Sequence, residues 1–250
     1  MEVDGLFWLL ILLLPLLVVQ RRLQGEIQAV FLLLTRRQDA AILLFSILFL
    51  PGVLLHELSH WIAARLMGVP TGRFSVIPQR MNSGRLRLGY VETASVDVFR
   101  EAIIGAAPLL TGGLFIAYVG WFQLGIAEIW AELPEMNSIS FVEMLDFIYH
   151  QPDFWLWFCL TFAVSSTMFP SSSDRRAWLP VGLVFAGLTI LVIISGMGPW
   201  LIENLEPVLN VAVWSSILVF SVSLIVQIIL WLPFYLTRRL LSRLTGLQVV

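Results

Sequence analysis

Two histidines separated by three residues lie inside an apolar segment that is long enough to cross a membrane. The segment runs from Ala41 to Met67 and contains His56-Glu57-Leu58-Ser59-His60. On a helix, residues i and i+4 share a face, so both imidazoles can reach one metal ion while the intervening glutamate acts as general base. Ionisable groups are costly at bilayer depth and are retained there for a function. The motif therefore predicts a metal site on a transmembrane helix.

The composition is that of a polytopic membrane protein. Hydrophobic residues make up 58% of the 250 residues and charged residues 13%, about half the charge of a soluble domain. Six apolar segments have approximately the length of a span: Leu6–Val19, Ala41–Met67, Ala102–Leu124, Phe154–Phe169, Ala177–Met197 and Leu209–Leu236. Residues 27–34 are too short to cross and are expected to be interfacial or part of a long first helix. We expect an all-α polytopic membrane protein with about six transmembrane helices, forming a single integral membrane domain over residues 1–250.

The pattern changes between the second and third predicted spans. Arg73–Ile77 and Arg85–Val91 have the composition of short strands, and Asn82-Ser83-Gly84 between them is typical of a turn. We therefore predict a short β-hairpin-like insertion of membrane-associated strands over residues 71–95.

Three further features are predicted outside the apolar segments. Residues 125–153 are acidic and contain no arginine, which predicts an external, amphipathic surface loop. Residues 206–250 are expected to form a C-terminal helix and a basic tail. The single cysteine, Cys159, lies in an apolar run and is expected to be a buried, inert thiol. No basic tract indicates nucleic acid as a partner.

The arginines predict an orientation for the chain. If spans two to six all cross the membrane, most arginines fall on one side, namely Arg65, Arg73, Arg80, Arg85, Arg87, Arg100, Arg175, Arg176, Arg238, Arg239 and Arg243. The positive-inside rule makes that side cytoplasmic. The second and fourth spans then run in the same direction. Arg21, Arg22, Arg36 and Arg37 disagree with this count, so the path of residues 1–40 stays open.

A third metal ligand is needed, because a catalytic zinc site usually has three protein ligands and one open position. Asp174 ends the fourth predicted span, in the half of the bilayer that the two histidines also reach, and we predict it as this ligand. The alternative for Asp174 is an ion pair with Arg175 or Arg176 at the membrane surface. The other candidates for the third ligand are Asp97, Glu92, Glu143 and His150.

The residues around these ligands resemble the site-2 protease family, the intramembrane zinc metalloproteases. The resemblance covers about residues 40–180 and comprises four elements: the motif from His56 to His60, Gly68-Val69-Pro70 before short strands, Gly105-Ala106-Ala107-Pro108 in the next span, and Pro170 ahead of Asp174. The chain departs from the family pattern at three places: the family's paired prolines are reduced to Pro170, and two residues near the ligand aspartate differ. Ser166 stands where an asparagine usually precedes the ligand aspartate by eight residues, and Arg175 stands where a glycine usually follows it.

The resemblance implies Zn²⁺ as cofactor, with His56, His60 and Asp174 as metal ligands and Glu57 as the catalytic residue that activates water. It implies a zinc-dependent endopeptidase of the HExxH type that hydrolyses peptide bonds in or near the transmembrane helices of membrane proteins, in regulated intramembrane proteolysis. The expected partners are a transmembrane protein or peptide substrate and membrane lipid. The expected location is the cell membrane of a prokaryote.

A peptide bond inside an intact transmembrane helix is shielded by the hydrogen bonds of that helix, so the substrate must unwind locally. The predicted strands can hold the unwound segment by strand addition. The predicted substrate contacts are Arg73, Phe74 and Val76 in the first strand, together with Ser166. Strands that only cover the site are the alternative.

Two other functions stay open. One is a membrane zinc protease that cuts at the cytosolic surface, with Glu143 as third ligand in an inverted topology. The other is a catalytically degenerate relative that acts as a membrane scaffold or a helix-binding subunit. The intact Glu57 argues against the second, because a binding protein has no need of a general base.

Overall fold

A computed structural model describes residues 3–80, 86–128 and 141–247 of the chain. The main α-helices in these ranges are α1 (Val3–Thr35), α2 (Gln38–Leu66), α3 (Val98–Tyr118), α4 (Phe141–Tyr149), α5 (Phe154–Thr167), α6 (Trp178–Val192) and α7 (Gly198–Thr245). π-helical turns at Val119–Gln123 and Ile193–Met197 follow α3 and α6. The strands are β1 (Thr71–Ser75), β2 (Gln79–Arg80), β3 (Leu86–Arg87) and β4 (Tyr90–Thr93). All four strands lie between α2 and α3.

Five helical segments in the described ranges are long and apolar enough to cross a membrane: Phe7–Thr35, Gln38–Leu66, Val98–Gln123, Trp178–Met197 and Leu209–Thr245. The prediction of an all-α polytopic membrane protein with a short β insertion is confirmed. Helix α5 is apolar but has 14 residues, which at about 1.5 Å per residue is shorter than the hydrocarbon core of a bilayer. The first predicted span was too short, because α1 continues through residues 27–34 as one helix.

The β insertion consists of two antiparallel ladders. β1 pairs with β4, with Ser75 opposite Tyr90, and β2 pairs with β3. The predicted strand Arg73–Ile77 overlaps β1 only, whereas the predicted strand Arg85–Val91 covers β3 and the start of β4. Pro78, which has no backbone N–H to donate, lies between β1 and β2. The predicted turn at residues 82–84 lies outside the described residues.

Helices α2 and α5 run in the same direction, as predicted. Phe45 and Phe49 of α2 pack with Phe158 and Phe162 of α5 in one buried cluster, and the rings of Phe49 and Phe162 lie 5.3 Å apart. The two helices are also in close contact one turn later. At Gly52 an added methyl group would overlap the carbonyl oxygen of Ala163 and the hydroxyl of Thr167. This close contact brings the C-terminal parts of α2 and α5 to the same end of the bundle.

Helix α3 runs antiparallel to both. Ile104, near its start, packs with Ala64 near the end of α2. Gly105, the next residue, packs against Asp174 beyond the end of α5, and Ile116 packs with Val164, ten residues earlier in the chain. The N-terminus of α3 therefore lies at the same end of the bundle as the C-terminal parts of α2 and α5.

The direction of α7 corrects the predicted alternation of spans. Six successive crossings would make α5 and α7 parallel, but the two helices are antiparallel. Phe220 contacts Phe169 just beyond the end of α5, at 5.7 Å between ring centroids, whereas Val226 packs in the cluster that contains Phe158. α7 runs parallel to α1, because Gly5 of α1 packs against Val213 and Glu26 pairs with Arg238 further along both helices.

The arginines of α7 are consequently separated from those near Asp174. The part of α7 beyond the N-terminal end of α5 contains Arg238, Arg239 and Arg243. Arg176 lies at the opposite end of the helix bundle. The prediction that these arginines share one side was wrong. Helix α6 buries none of its residues against the bundle, and so its direction is not set by packing against α5.

Three smaller predictions also need correction. Cys159 is exposed rather than buried, because α5 turns Phe158 and Phe162 toward α2 instead. The acidic stretch 125–153 is not a loop throughout, since residues 141–149 form α4. The basic residues of the C-terminal region lie within α7, and not in a separate tail.

Candidate metal centre

Both histidines of the motif point from one face of α2 toward the same position. The Nε2 atoms of His56 and His60 lie 3.2 Å apart. This follows from the helix itself, because side chains at i and i+4 lie one above the other. Two ring nitrogens at this separation share either a proton or a cation.

Asp174 completes the group from the turn that follows α5. Its Oδ1 atom lies 3.6 Å from Nε2 of His60, and its Oδ2 atom lies 3.9 Å from Nε2 of His56. Ligand atoms of the three residues all lie within 4.8 Å of one another. Over residues 3–80, 86–128 and 141–247, this is the one such group of three or more His, Cys, Asp or Glu side chains. The structure thus brings together the three ligands predicted from the sequence.

The carboxylate of Asp174 is oriented by its own turn. The backbone N–H of Ser171 donates to Oδ2 at 2.7 Å. The carbonyl of Asp174 packs directly against Gly105 of α3, where any side chain would overlap it. Arg176 forms an ion pair with Glu101 rather than with Asp174, so the alternative of an Asp174–Arg176 pair is not realised here.

His60 is held in one tautomer by α3. Its Nδ1 atom lies 2.8 Å from the carbonyl oxygen of Ile104, and because a carbonyl only accepts, Nδ1 carries the proton. The lone pair of Nε2 then faces His56 and Asp174. A backbone carbonyl that orients a histidine through its second nitrogen is the usual support of a histidine metal ligand.

The other candidates for the third ligand have different contacts. Asp97 caps the N-terminus of α3, and Glu92 accepts a hydrogen bond from the backbone of β1. His150 lies beside Asp146 on α4, at 3.4 Å. Glu143 is also on α4 and does not belong to the converging group.

Glu57 is buried beneath the β insertion, with 8% of its surface exposed. Gly89, between β3 and β4, packs against it so closely that a methyl group at position 89 would lie 2.8 Å from Cγ of Glu57. Arg87 holds this turn: its Nε donates to the Gly89 carbonyl at 3.2 Å, and its guanidinium lies 4.6 Å from the ring centre of Tyr90. Reasoning from the sequence missed Gly89, although a glycine inside a strand pattern often marks a close backbone approach.

The predicted substrate contacts fall into two groups. Arg73 and Phe74 of β1 are exposed. Val76 instead packs against the buried cluster of helices α2 and α5. Ser166 is buried, and its carbonyl accepts hydrogen bonds from two side chains of α1, Gln20 at 2.7 Å and Gln24 at 3.1 Å. Only the β1 residues face outward in this conformation.

The fold and the site together define an integral membrane protein with a mostly buried His–His–Asp group, which has the donor set of a three-ligand metal site. No family model matches the chain, and the comparisons with curated proteins and with solved structures also find no match. The residues of the site are therefore the basis for assigning a function.

Proposed function

We propose that this chain is a zinc-dependent endopeptidase that hydrolyses peptide bonds in or near the transmembrane helices of membrane proteins. The observation that carries the proposal is the convergence of His56, His60 and Asp174 beside Glu57. Two imidazoles and one carboxylate form a donor set typical of catalytic zinc, and they leave a coordination position open. The same residues carry the resemblance to the site-2 protease family.

Each residue of the site has a defined task in this proposal. A bound zinc ion supplies Lewis-acid chemistry, which acidifies water and polarises a carbonyl. Glu57 accepts the proton of the water that attacks the scissile carbonyl, and it delivers a proton to the leaving amine. Ile104 keeps Nε2 of His60 available as a ligand atom. The N–H of Ser171 keeps the carboxylate of Asp174 turned toward the histidines.

The β insertion provides a route for holding the substrate. Within the described residues, each strand of the two-stranded ladder of β1 and β4 has one edge that is paired and one that is not. An unwound substrate segment can bind to the unpaired edge of β1 by backbone hydrogen bonds. Arg73 and Phe74 are the exposed side chains on that strand.

The test compares the wild-type protein with Glu57→Gln. Membranes from cells that express each form are analysed for new protein termini by mass spectrometry, and the zinc content of both purified proteins is measured. We expect new termini inside transmembrane segments only with the wild type, and about one zinc per chain in both proteins, because Glu57 moves a proton and does not hold the metal.

Glu203→Gln is a matched control, since Glu203 is exposed on α7. It should behave as the wild type in both measurements. Identical termini from the wild type and Glu57→Gln would reject the protease and favour a membrane scaffold or helix-binding subunit. Loss of zinc in Glu57→Gln would instead make Glu57 a ligand.

A further inference from the structure

The first two turns of α3 contact both segments that carry the candidate metal ligands. The carbonyl of Ile104 accepts the hydrogen bond from His60 of α2. The next residue, Gly105, packs against the backbone of Asp174. One turn earlier, Glu101 pairs with Arg176, two residues after Asp174. This end of α3 is therefore the common support of a histidine and an aspartate that lie far apart in the sequence.

The pair of Glu101 and Arg176 has a specific geometry. Both Nη2 and Nε of Arg176 donate to the same oxygen, Oε1 of Glu101, at 2.6 and 3.0 Å. Two donors of one planar guanidinium on one carboxylate define an orientation as well as a distance. Glu101 is partly buried, with 30% of its side chain exposed, whereas Arg176 is largely exposed.

Asp174 depends on such contacts because it lies outside regular secondary structure. It belongs to the segment between the end of α5 at Thr167 and the start of α6 at Trp178. The bonds with Ser171 orient the carboxylate within the turn, but they do not connect the turn to the histidines. Two contacts connect the turn to α3, the helix that orients His60. They are the packing of the Asp174 backbone on Gly105 and the ion pair of Arg176 with Glu101.

We propose that Glu101 and Arg176 are positioning residues, which hold the Asp174 turn on α3 so that its carboxylate stays within reach of both histidines. The proposal rests on the proposed role of Asp174 as a metal ligand. Neither residue of the pair contacts the metal position itself. The pair acts through the backbone of the turn, and its loss lets Asp174 move away from His56 and His60.

The test measures the zinc affinity of the purified protein by competition with a chelator whose own zinc affinity is known. Glu101→Gln and Arg176→Gln should each weaken zinc binding about tenfold, the lower end of the range for groups that support metal ligands. Arg176→Lys, which keeps the charge but not the two-donor geometry, should be intermediate. The exchange Glu101→Arg with Arg176→Glu should recover most of the affinity.

Arg100→Gln is the matched control. Arg100 is on the same turn of α3 and pairs with Asp97 at 3.2 Å, but it has no link to the Asp174 turn. It should leave zinc affinity unchanged. The thermal unfolding of the zinc-free protein should be the same in all these variants, because an exposed ion pair contributes little to folding.

Three outcomes would overturn the inference. They are wild-type zinc affinity in both single variants, weakened affinity that the exchange does not recover, and a fall in zinc-free melting temperature with unchanged zinc affinity. Asp174→Ala separates this failure from failure of the proposed function. If Asp174→Ala weakens zinc binding and the Glu101 and Arg176 variants do not, only the positioning role is rejected. If Asp174→Ala also keeps full affinity, the ligand assignment is rejected with it.

Discussion

The backbone of Gly89 packs directly against the side chain of Glu57, so the β insertion covers the proposed general base. A methyl group at position 89 would also lie 2.9 Å from Cγ1 of Val53, one turn before Glu57 on α2. The insertion is therefore fitted to the face of α2 that carries the motif. A substrate that reaches Glu57 must pass beside this turn or displace it.

Gly89→Ala should reduce cleavage while zinc binding stays normal. The added methyl group has to displace either the turn or Glu57, and overpacking of this kind typically costs about 1–3 kcal/mol. We expect cleavage to fall by about tenfold or more in the terminus assay. Gly113→Ala on α3 is the control, because a methyl group there would meet no described atom within 4 Å beyond its own stretch of helix. Equal cleavage by the two variants would show that the Gly89 contact has no part in the reaction.

Loss of any one ligand should weaken zinc binding far more than loss of a supporting group. His56→Ala, His60→Ala and Asp174→Ala should each lower zinc affinity by more than about 100-fold, measured by chelator competition. Asp146→Asn on α4 is the control, since Asp146 is exposed and does not belong to the group. Full zinc affinity in Asp174→Ala would place the third ligand elsewhere, and Asp97 and Glu92 would be tested next.

Gly52→Ala should destabilise the bundle. Small residues allow the close approach of helices in membrane proteins, and a methyl group at position 52 would overlap the backbone of α5. We expect a loss of about 1–3 kcal/mol, seen as a lower midpoint of thermal unfolding in detergent. Gly182→Ala on α6 has open space around it and should not lower the midpoint. Equal midpoints would contradict the described packing of α2 on α5.

The direction of α7 is testable by labelling single cysteines in a Cys159→Ser background. A membrane-impermeant thiol reagent is applied to intact cells that carry Ser95→Cys, Ser173→Cys, His150→Cys or Leu247→Cys. The packing of α7 on α5 places Leu247 with His150 and away from Ser173. His150→Cys and Leu247→Cys should therefore react alike, and Ser95→Cys and Ser173→Cys should both give the opposite result. If Leu247→Cys instead reacts like Ser173→Cys, then α5 and α7 are parallel, as six alternating crossings of the membrane would require.

The length of α1 was underestimated from the sequence, because residues far away in the chain satisfy the polar groups of its second half. The sequence from Gln20 to Gln28 is too polar to read as part of a span. In the structure, Gln20 and Gln24 donate to the Ser166 carbonyl at the end of α5, and Glu26 pairs with Arg238. Polar groups are tolerated in such a helix when other helices satisfy them, and those partners are more than a hundred residues away.

The features that depend on neighbours along the chain follow from the amino-acid sequence alone. The apolar segments specified the membrane class, and the spacing of His56 and His60 specified two ligands on one helix face, because helical periodicity is local. The packing of the helices, in contrast, brings Asp174 to these two histidines, Ile104 to His60 and Glu101 to Arg176. These contacts join segments 44 or more residues apart, and no local periodicity encodes them, because they arise from the way that α2, α3 and α5 pack at one end of the bundle.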